Sequence, residues 1–176
     1  YINIQKFTAA LMADVTTSNC PPLAVQFSNI SRNTTSGTMY KWSFGDAQVS
    51  TLVNPFHIYN APGSFNVSLI AVSPKGCTDT LVLNDYIRIG GPVATITQAP
   101  TSGCAPHRIC MAVNSPNAVS YTWNLGDGTV KPGRDTICYT YESTGIFFPE
   151  IILSDTAGCI YAKPLGVIHV GGAVSH

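Results

Sequence analysis

The sequence repeats itself. Tyr40-Lys-Trp42-Ser-Phe-Gly45-Asp46 returns as Tyr121-Thr-Trp123-Asn-Leu-Gly126-Asp127, with the two tryptophans 81 residues apart. Tyr59 and Tyr141, Gly63 and Gly145, and Cys77 and Cys159 are each offset by 82, and Gly90-Gly91 and Gly171-Gly172 by 81. Cys20 and Cys104 are 84 apart, the excess falling in a loop. Landmarks in one order at one period are incompatible with a single core and require two homologous domains of about 80 residues. The ends extend the pattern. Tyr1-Ile-Asn-Ile4 resembles Tyr86-Ile-Arg-Ile89 at the end of the first repeat, and Gly171-Gly-Ala-Val174 resembles Gly90-Gly-Pro-Val93 at the start of the second. The expected layout is therefore 1–6 as the tail of a preceding repeat, 7–90 and 91–172 as two domains, and 173–176 as the start of a following repeat.

Charge narrows the function. Lys+Arg and Asp+Glu both number 9, for a net charge of zero, and charged residues make up 10% of the chain. Nucleic-acid binding needs a basic face to replace counterions, and docking on anionic lipid needs a polybasic cluster; the sequence has neither. The most apolar stretch, Ile146–Leu153, is broken by Pro149 and Glu150 and falls far short of the ~20 residues of a membrane-spanning helix. Neither nucleic acid nor direct membrane insertion is expected. The polar residues are mainly Thr (18) and Ser (15), accompanied by 15 Gly and 12 Pro. Thr with β-branched and aromatic residues favours strands, and Gly, Pro and Ser favour turns, so the fold class is all-β.

Each repeat divides into short strands between turn signals, as in a β-sandwich. The first is expected to hold strands at 7–15 (A), 23–30 (B), 39–44 (C), 49–53, 56–59 (E), 64–73 (F) and 80–89 (G). Ala61-Pro-Gly63 and Pro74-Lys-Gly76 form the E–F and F–G turns. Phe65, Val67, Leu69 and Ala71 alternate cleanly onto one face of strand F. The second repeat supplies counterparts at 109–113, 120–125, 137–141, 146–154 and 162–170.

Catalytic constellations are weak. Glu142 and Glu150 are the only glutamates and fall in one repeat, and Gly-x-Ser-x-Gly is absent. His57 is read as a packed strand residue, because its counterpart is Tyr139. The six cysteines include no C-x-x-C, and the nearest approach to a metal pattern, His107 three residues from both Cys104 and Cys110, is not a zinc spacing. No enzymatic activity and no metal centre are expected. The cysteine content points to an oxidising compartment.

Trp42-Ser-Phe-Gly45-Asp46, followed by Asn54-Pro-Phe-His57-Ile-Tyr59 and Pro62-Gly63-Ser-Phe65-Asn-Val67-Ser-Leu69, resembles the PKD domain. Its motif runs W-D-F-G-D-G, then H-x-Y, then P-G-x-Y-x-V-x-L. The second repeat is a looser copy, with Asn124, with Tyr139 in the His position, and with Ile146-Phe147-Phe148-Pro149 disturbing strand F. The resemblance implies two immunoglobulin-like sandwiches end to end. In them Trp42 and Trp123 fill the space between sheets, Gly45, Asp46, Gly126 and Asp127 shape the turn after strand C, and Tyr59, Gly63, Tyr141 and Gly145 form the E–F corner. Some family members bind calcium; here each repeat offers few carboxylates for an oxygen cage.

In that fold strands B and E are neighbours, and alternation turns Cys110 and Cys138 outward together, so a Cys110–Cys138 bridge is expected. The other four cysteines leave two pairings open. One is intradomain, Cys20–Cys77 and Cys104–Cys159. The other is a junction pair Cys20–Cys159, with Cys77 and Cys104 reaching neighbouring repeats. Cysteine-bearing PKD repeats are similar to those of large bacterial surface proteins exported by type IX secretion and used in adhesion or gliding. The resemblance thus implies a stalk or filament on the bacterial cell surface, with neighbouring PKD repeats as partners. The extracellular ligand, a surface polysaccharide or another, is left open. Asp79-Thr80, Asp135-Thr136 and Asp155-Thr156 look like O-glycosylation acceptors of such bacteria, at Thr80, Thr136 and Thr156. The alternative is a spacer or carbohydrate-binding module of a secreted hydrolase, which would line up exposed aromatics as a ligand platform; Tyr1, Tyr86 and Tyr161 fall mostly in strand G or near junctions and do not resemble one.

Overall fold

A computed structural model describes residues 7–99 and 101–172. The segments expected to be remnants of flanking repeats, 1–6 and 173–176, and with them Tyr1, lie outside the described residues. The chain divides between Gly90 and Gly91 into two compact units.

The first unit is a sandwich of two sheets. Its strands are β1 (Leu11–Ala13), β2 (Thr17–Ser18), β3 (Leu23–Asn29), β4 (Met39–Ser43), β5 (Val49–Ser50), β6 (Phe56–Tyr59), β7 (Gly63–Val72) and β8 (Thr78–Ile89). One sheet runs β1-β3-β6 and the other β2-β8-β7-β4-β5. The expected strand A, 7–15, is not continuous. An isolated bridge joins Thr8 to Arg32, β1 then pairs antiparallel with β3, and β2 pairs parallel with β8. Crossing between sheets in this way lets one segment cover an edge of each, which two short sheets need.

Alternation builds the core. In β3, Leu23, Val25 and Phe27 point inward while Ala24 and Gln26 are exposed. In β7, Val67, Leu69 and Ala71 are fully buried, with Phe65 packed at the margin. Val67 and Leu69 meet Trp42, Phe44, Tyr59, Ile87 and Ile89 in one cluster. The register of β7 against β8 shifts between Phe65 and Val67: Asn84, Asp85 and Tyr86 of β8 stand opposite the single Asn66, so the bulge lies in β8, where Asp85 takes φ +50° and donates its N–H to the Asn66 Oδ1 at 2.8 Å.

The second unit contains β9 (Thr95–Gln98), β10 (Gly103–Cys104), β11 (His107–Asn114), β12 (Ser120–Asn124), β13 (Val130–Gly133), β14 (Thr136–Tyr141), β15 (Gly145–Phe147), β16 (Glu150–Ser154), β17 (Ile160–Pro164) and β18 (Ile168–Gly171). Strands β9, β10 and β13 fall where no strand was expected. Here the larger sheet is broken in two, β13-β12-β16-β17 and β10-β18-β15, facing the third sheet β14-β11-β9. The expected continuous strands 146–154 and 162–170 are each split. The cause sits at Pro149, which has no N–H for the ladder and takes the place after Phe148, the counterpart of Asn66. The Pro149 carbonyl instead accepts the Leu165 N–H at 3.0 Å, in the gap between β17 and β18. The core is rebuilt with the same residues, Trp123, Leu125, Tyr141, Ile151, Leu153 and Ile168 among them.

Candidate functional site

The motif residues assemble at the turn after β4 and its counterpart after β12. Trp42 and Trp123 are completely buried, and each indole N–H donates to a carbonyl on the segment that follows, Leu52 at 2.8 Å and Arg134 at 2.9 Å. This satisfies the only polar atom of a large ring in an apolar layer. Asp46 Oδ1 accepts the Gln48 N–H at 3.1 Å, and Asp127 Oδ1 accepts the Thr129 N–H at 2.9 Å, so each carboxylate closes its turn. Gly45 (φ +88°) and Gly126 (φ +79°) precede them in left-handed conformation, their Cα atoms against the backbone of Asn66 and Phe148.

The other carboxylate oxygen reaches across to the strand-E residue. His57 Nε2 donates to Asp46 Oδ2 at 2.8 Å, and Tyr139 Oη donates to Asp127 Oδ2 at the same distance. The two repeats therefore use different side chains for one contact. His57 is also packed, as its counterpart suggested, stacked on Phe44 with centroids 4.1 Å apart and edge-on to Tyr59. Sequence reading did not link His57 to Asp46; the pairing of H-x-Y with the G-D turn in one motif was the available signal. Burial opposes ionisation of Asp127, yet the Tyr139 hydroxyl and the Thr129 groups outweigh it and hold the carboxyl below its usual value. Lys131 Nζ lies 4.8 Å from the centroid of the Tyr139 ring.

At the corner, the buried Tyr59 Oη donates to the Phe44 carbonyl at 3.0 Å, and Tyr141 Oη to the Leu125 carbonyl at 2.7 Å. Burial, and to a lesser degree the Asp46 charge, pushes the Tyr59 hydroxyl far up; burial with Asp127 does the same to Tyr141. Both stay donors at any physiological pH. Gly63 and Gly145 start the next strands beside Phe65 and Phe147.

Among the described residues no three of His, Cys, Asp or Glu come together, and the turn aspartates are spent on the contacts above. A shallow pocket of about 330 Å³ beside Asp127 is lined by Tyr139, Glu142 and Ser143, and a smaller one of about 140 Å³ occupies the corresponding place beside Asp46. Tyr86 and Tyr161 do not form an aromatic platform: both are half-buried, and the Tyr86 hydroxyl accepts the Ala13 N–H.

Cys110 and Cys138 face each other in the β11–β14 ladder and are bridged. Gln26 and Phe56 hold the same opposed positions in the first unit. Cys20 and Cys159 are also in the disulfide form, whereas Cys77 and Cys104 are exposed free thiols. The alternative pairs Cys20–Cys77 and Cys104–Cys159 therefore do not form, and each unit shows why. Ser18 pairs with Ile89 at one end of β8, while Cys77 precedes Thr78 at the other. At ~3.3 Å per residue the strand separates the two cysteines by roughly 35 Å, and a bridge requires Cα atoms within about 7 Å. In the second unit Cys104 pairs with Gly171, and Cys159 stands twelve residues earlier, before β17.

Thr80 and Thr136 are exposed on strands, and Thr156 is exposed in the β16–β17 turn. Two of the preceding aspartates have structural work of their own. Asp79 Oδ2 accepts the Ala9 N–H at 2.7 Å, and Asp155 Oδ1 accepts the N–H groups of Ala157 and Cys159.

Two facing layers of mainly antiparallel strands, closed by a buried tryptophan and a tied-back tyrosine, define each unit as an immunoglobulin-like sandwich module. The chain belongs to the PKD-domain family: family models described as PKD domain match residues 8–89 and 94–158. It is 31% identical over 139 residues, 70% of its length, to the pre-pro-metalloprotease PrtV of Vibrio cholerae, and 51% identical over 37 residues to the collagenase ColQ1 of Bacillus cereus. It spans 15% and 4% of the lengths of these relatives. The PKD1 domain of Vibrio cholerae PrtV, solved by crystallography, is 28% identical with a TM-score of 0.40, over 48% of this chain and 96% of that one.

Proposed function

We propose that the chain is a non-catalytic, extracellular spacer segment that sets the distance between flanking parts of a longer secreted protein. One observation carries this reading: in both repeats the polar groups of the motif end on the repeat's own turn and core, leaving no activated group facing solvent. The Cys110–Cys138 bridge, on an outward face, suits an oxidising exterior. Among the described residues no helix is long and apolar enough to cross a membrane.

The relatives favour a secreted hydrolase as the parent, because both are proteases by name and carry the matching sequence as a small part of their length. The stalk of an adhesin or gliding filament is the second reading, favoured by the exposed thiols, which suit a longer series of modules. In that reading Thr80, Thr136 and Thr156 carry glycans, and the intact mass of the natural protein exceeds that of its polypeptide.

The full-length natural protein separates the two. A catalytic domain on the same chain, whose turnover of a small soluble substrate survives deletion of residues 1–176 while attack on an insoluble polymer weakens, supports the hydrolase spacer. A parent made of many repeats without a hydrolytic domain overturns that parentage in favour of the stalk. Hydrolytic activity of the isolated 176-residue chain overturns both.

A further inference from the structure

One edge of the first unit is apolar and carries no charge. No Lys, Arg, Asp or Glu occurs between Asp46 and Lys75. Within that stretch Val49, Leu52, Val53, Phe56 and Ile58 are all exposed. Strand β5 ends one sheet and β6 ends the other, so residues 51–55 cross between two terminal strands and these side chains lie along one edge of the sandwich. Sheet edges are normally blunted by charged side chains or by cover, because their unpaired backbone groups accept another strand.

The second unit shows that the fold does not require such a surface. The Trp42 indole donates to the Leu52 carbonyl and the Trp123 indole to that of Arg134, which aligns the two segments. On that alignment Leu52 and Val53 correspond to Arg134 and Asp135, Phe56 to the bridged Cys138, and Ile58 to Thr140. Arg134 and Asp135 are exposed. The same edge is therefore polar or covalently tied in one repeat and apolar in the other. Leu52 is 64% exposed, Phe56 58% and Ile58 42%, so packing within the unit does not account for their apolar character.

The backbone of β6 is open on the same side. In an antiparallel pair, residues that exchange N–H···O bonds alternate with residues whose N–H and C=O point away from the partner strand. The Phe27 N–H donates to the Pro55 carbonyl at 2.9 Å, and the ladder continues with Val25 opposite His57 and Leu23 opposite Tyr59. His57 and Tyr59 thus bond to β3, while the N–H and C=O groups of Phe56 and Ile58 face the free edge. Standing on either side of His57, they make the edge complementary to itself. About a two-fold axis at His57, Phe56 of one copy meets Ile58 of the other, and each pair exchanges both of its backbone hydrogen bonds.

We propose that β6 of the first unit pairs antiparallel with β6 of a second copy of this chain, joining the two β1-β3-β6 sheets into one. The contact is isologous, as closed two-fold dimers require. The exposed side chains of the edge present roughly 500 Å² of apolar surface, near the upper end of what a monomer leaves open. Two copies together bury about 1,000 Å², the lower bound of a specific interface. The strand has four residues, so the dimer is a reversible one. This goes beyond the spacer reading and does not depend on which protein the segment serves.

Sedimentation velocity of the 176-residue chain carrying Cys77→Ser and Cys104→Ser, which removes the free thiols as a source of linked copies, measures the association. The expected result is a reversible monomer–dimer equilibrium with a Kd of about 10 μM. Ile58→Thr, which installs the side chain of the sister repeat, and Phe56→Ser each raise Kd about tenfold or more at unchanged circular dichroism. Hydrogen exchange reads the geometry. Above Kd the Phe56 and Ile58 amides slow about tenfold or more. The Cys138 and Thr140 amides, which hold the same open positions because the Val113 N–H bonds to the Asp135 carbonyl, keep their rates. A chain that stays monomeric to about 1 mM overturns the proposal, and so does a dimer whose Phe56 and Ile58 amides exchange as fast as in the monomer. A monomer that instead sediments with fibrillar collagen or cellulose, and ceases to with Phe56→Ser, overturns the second copy as the occupant of this edge.

Discussion

Replacing Gly45 by alanine tests the packing of the motif turn, and the molecule supplies its own control. Gly45 has φ +88°, and a Cβ there would lie 2.6 Å from the Asn66 carbonyl oxygen and 2.8 Å from its nitrogen. Gly76 has nearly the same backbone, φ +83°, but a Cβ there meets nothing within 4 Å. Left-handed conformation costs an alanine roughly 1–2 kcal/mol at either site. Only at Gly45 must the β7 backbone at Asn66 also move away from the turn, which adds about 1–3 kcal/mol of overpacking against backbone that cannot rotate aside. Gly76→Ala is therefore expected to destabilise the first unit by about 1 kcal/mol, and Gly45→Ala by about 3 kcal/mol or more. Urea denaturation of the whole chain, with hydrogen exchange of β4 and β7 amides to assign the loss to its unit, measures the difference. The second unit repeats the comparison: Gly126 would put its Cβ 2.6 Å from the Phe148 nitrogen, whereas Gly128, φ +91°, is open. Equal effects at Gly45 and Gly76, within about 0.5 kcal/mol, would refute the reasoning, because the contact with Asn66 would then contribute nothing.

Three further outcomes follow from the same geometry. Tyr59→Phe and Tyr141→Phe each leave a carbonyl without its buried donor and should cost about 1–3 kcal/mol in their own unit, measured by denaturant unfolding. Cys110→Ala with Cys138→Ala opens a bridge of sequence separation 28; chain-entropy arguments put the loss at about 3–4 kcal/mol, and a calorimetric transition that does not move in the second unit would contradict it. Asp127 is held below the usual carboxylate value by Tyr139 and Thr129 against the opposing effect of burial. A depressed folded pKa stabilises above the unfolded value and is lost as pH falls through the folded one. The stability difference between wild type and Asp127→Asn should therefore shrink between about pH 5 and about pH 2, and a pH-independent difference would show that the Asp127 charge has no part in it.

The strand pattern of the first repeat was legible because a half-buried strand has a period of two, and the bulge opposite Asn66 lies in β8, leaving the alternation of β7 intact. In the second repeat the same reading ran straight through Pro149. Proline leaves the apolar alternation on either side intact while removing the N–H that a continuous ladder requires, so hydropathy cannot register the break. The Asp46–His57 contact was hidden for a different reason. It joins residues 11 apart on different elements, and its counterpart uses tyrosine, so comparing the repeats pointed to packing rather than to hydrogen bonding.

The sequence alone determined that there are two modules, which residues fill their cores, and where their turns fall, because periodicity and turn chemistry are local properties that survive without coordinates. It also brought Cys110 and Cys138 together, since strand adjacency and alternation suffice for that pair. Only the tertiary structure decided the state of the other four cysteines. Their separation depends on the parallel pairing of β2 with the far end of β8, and of β10 with β18, registers that no local pattern encodes. That register puts the two cysteines of each repeat at opposite poles and makes a bridge between them impossible.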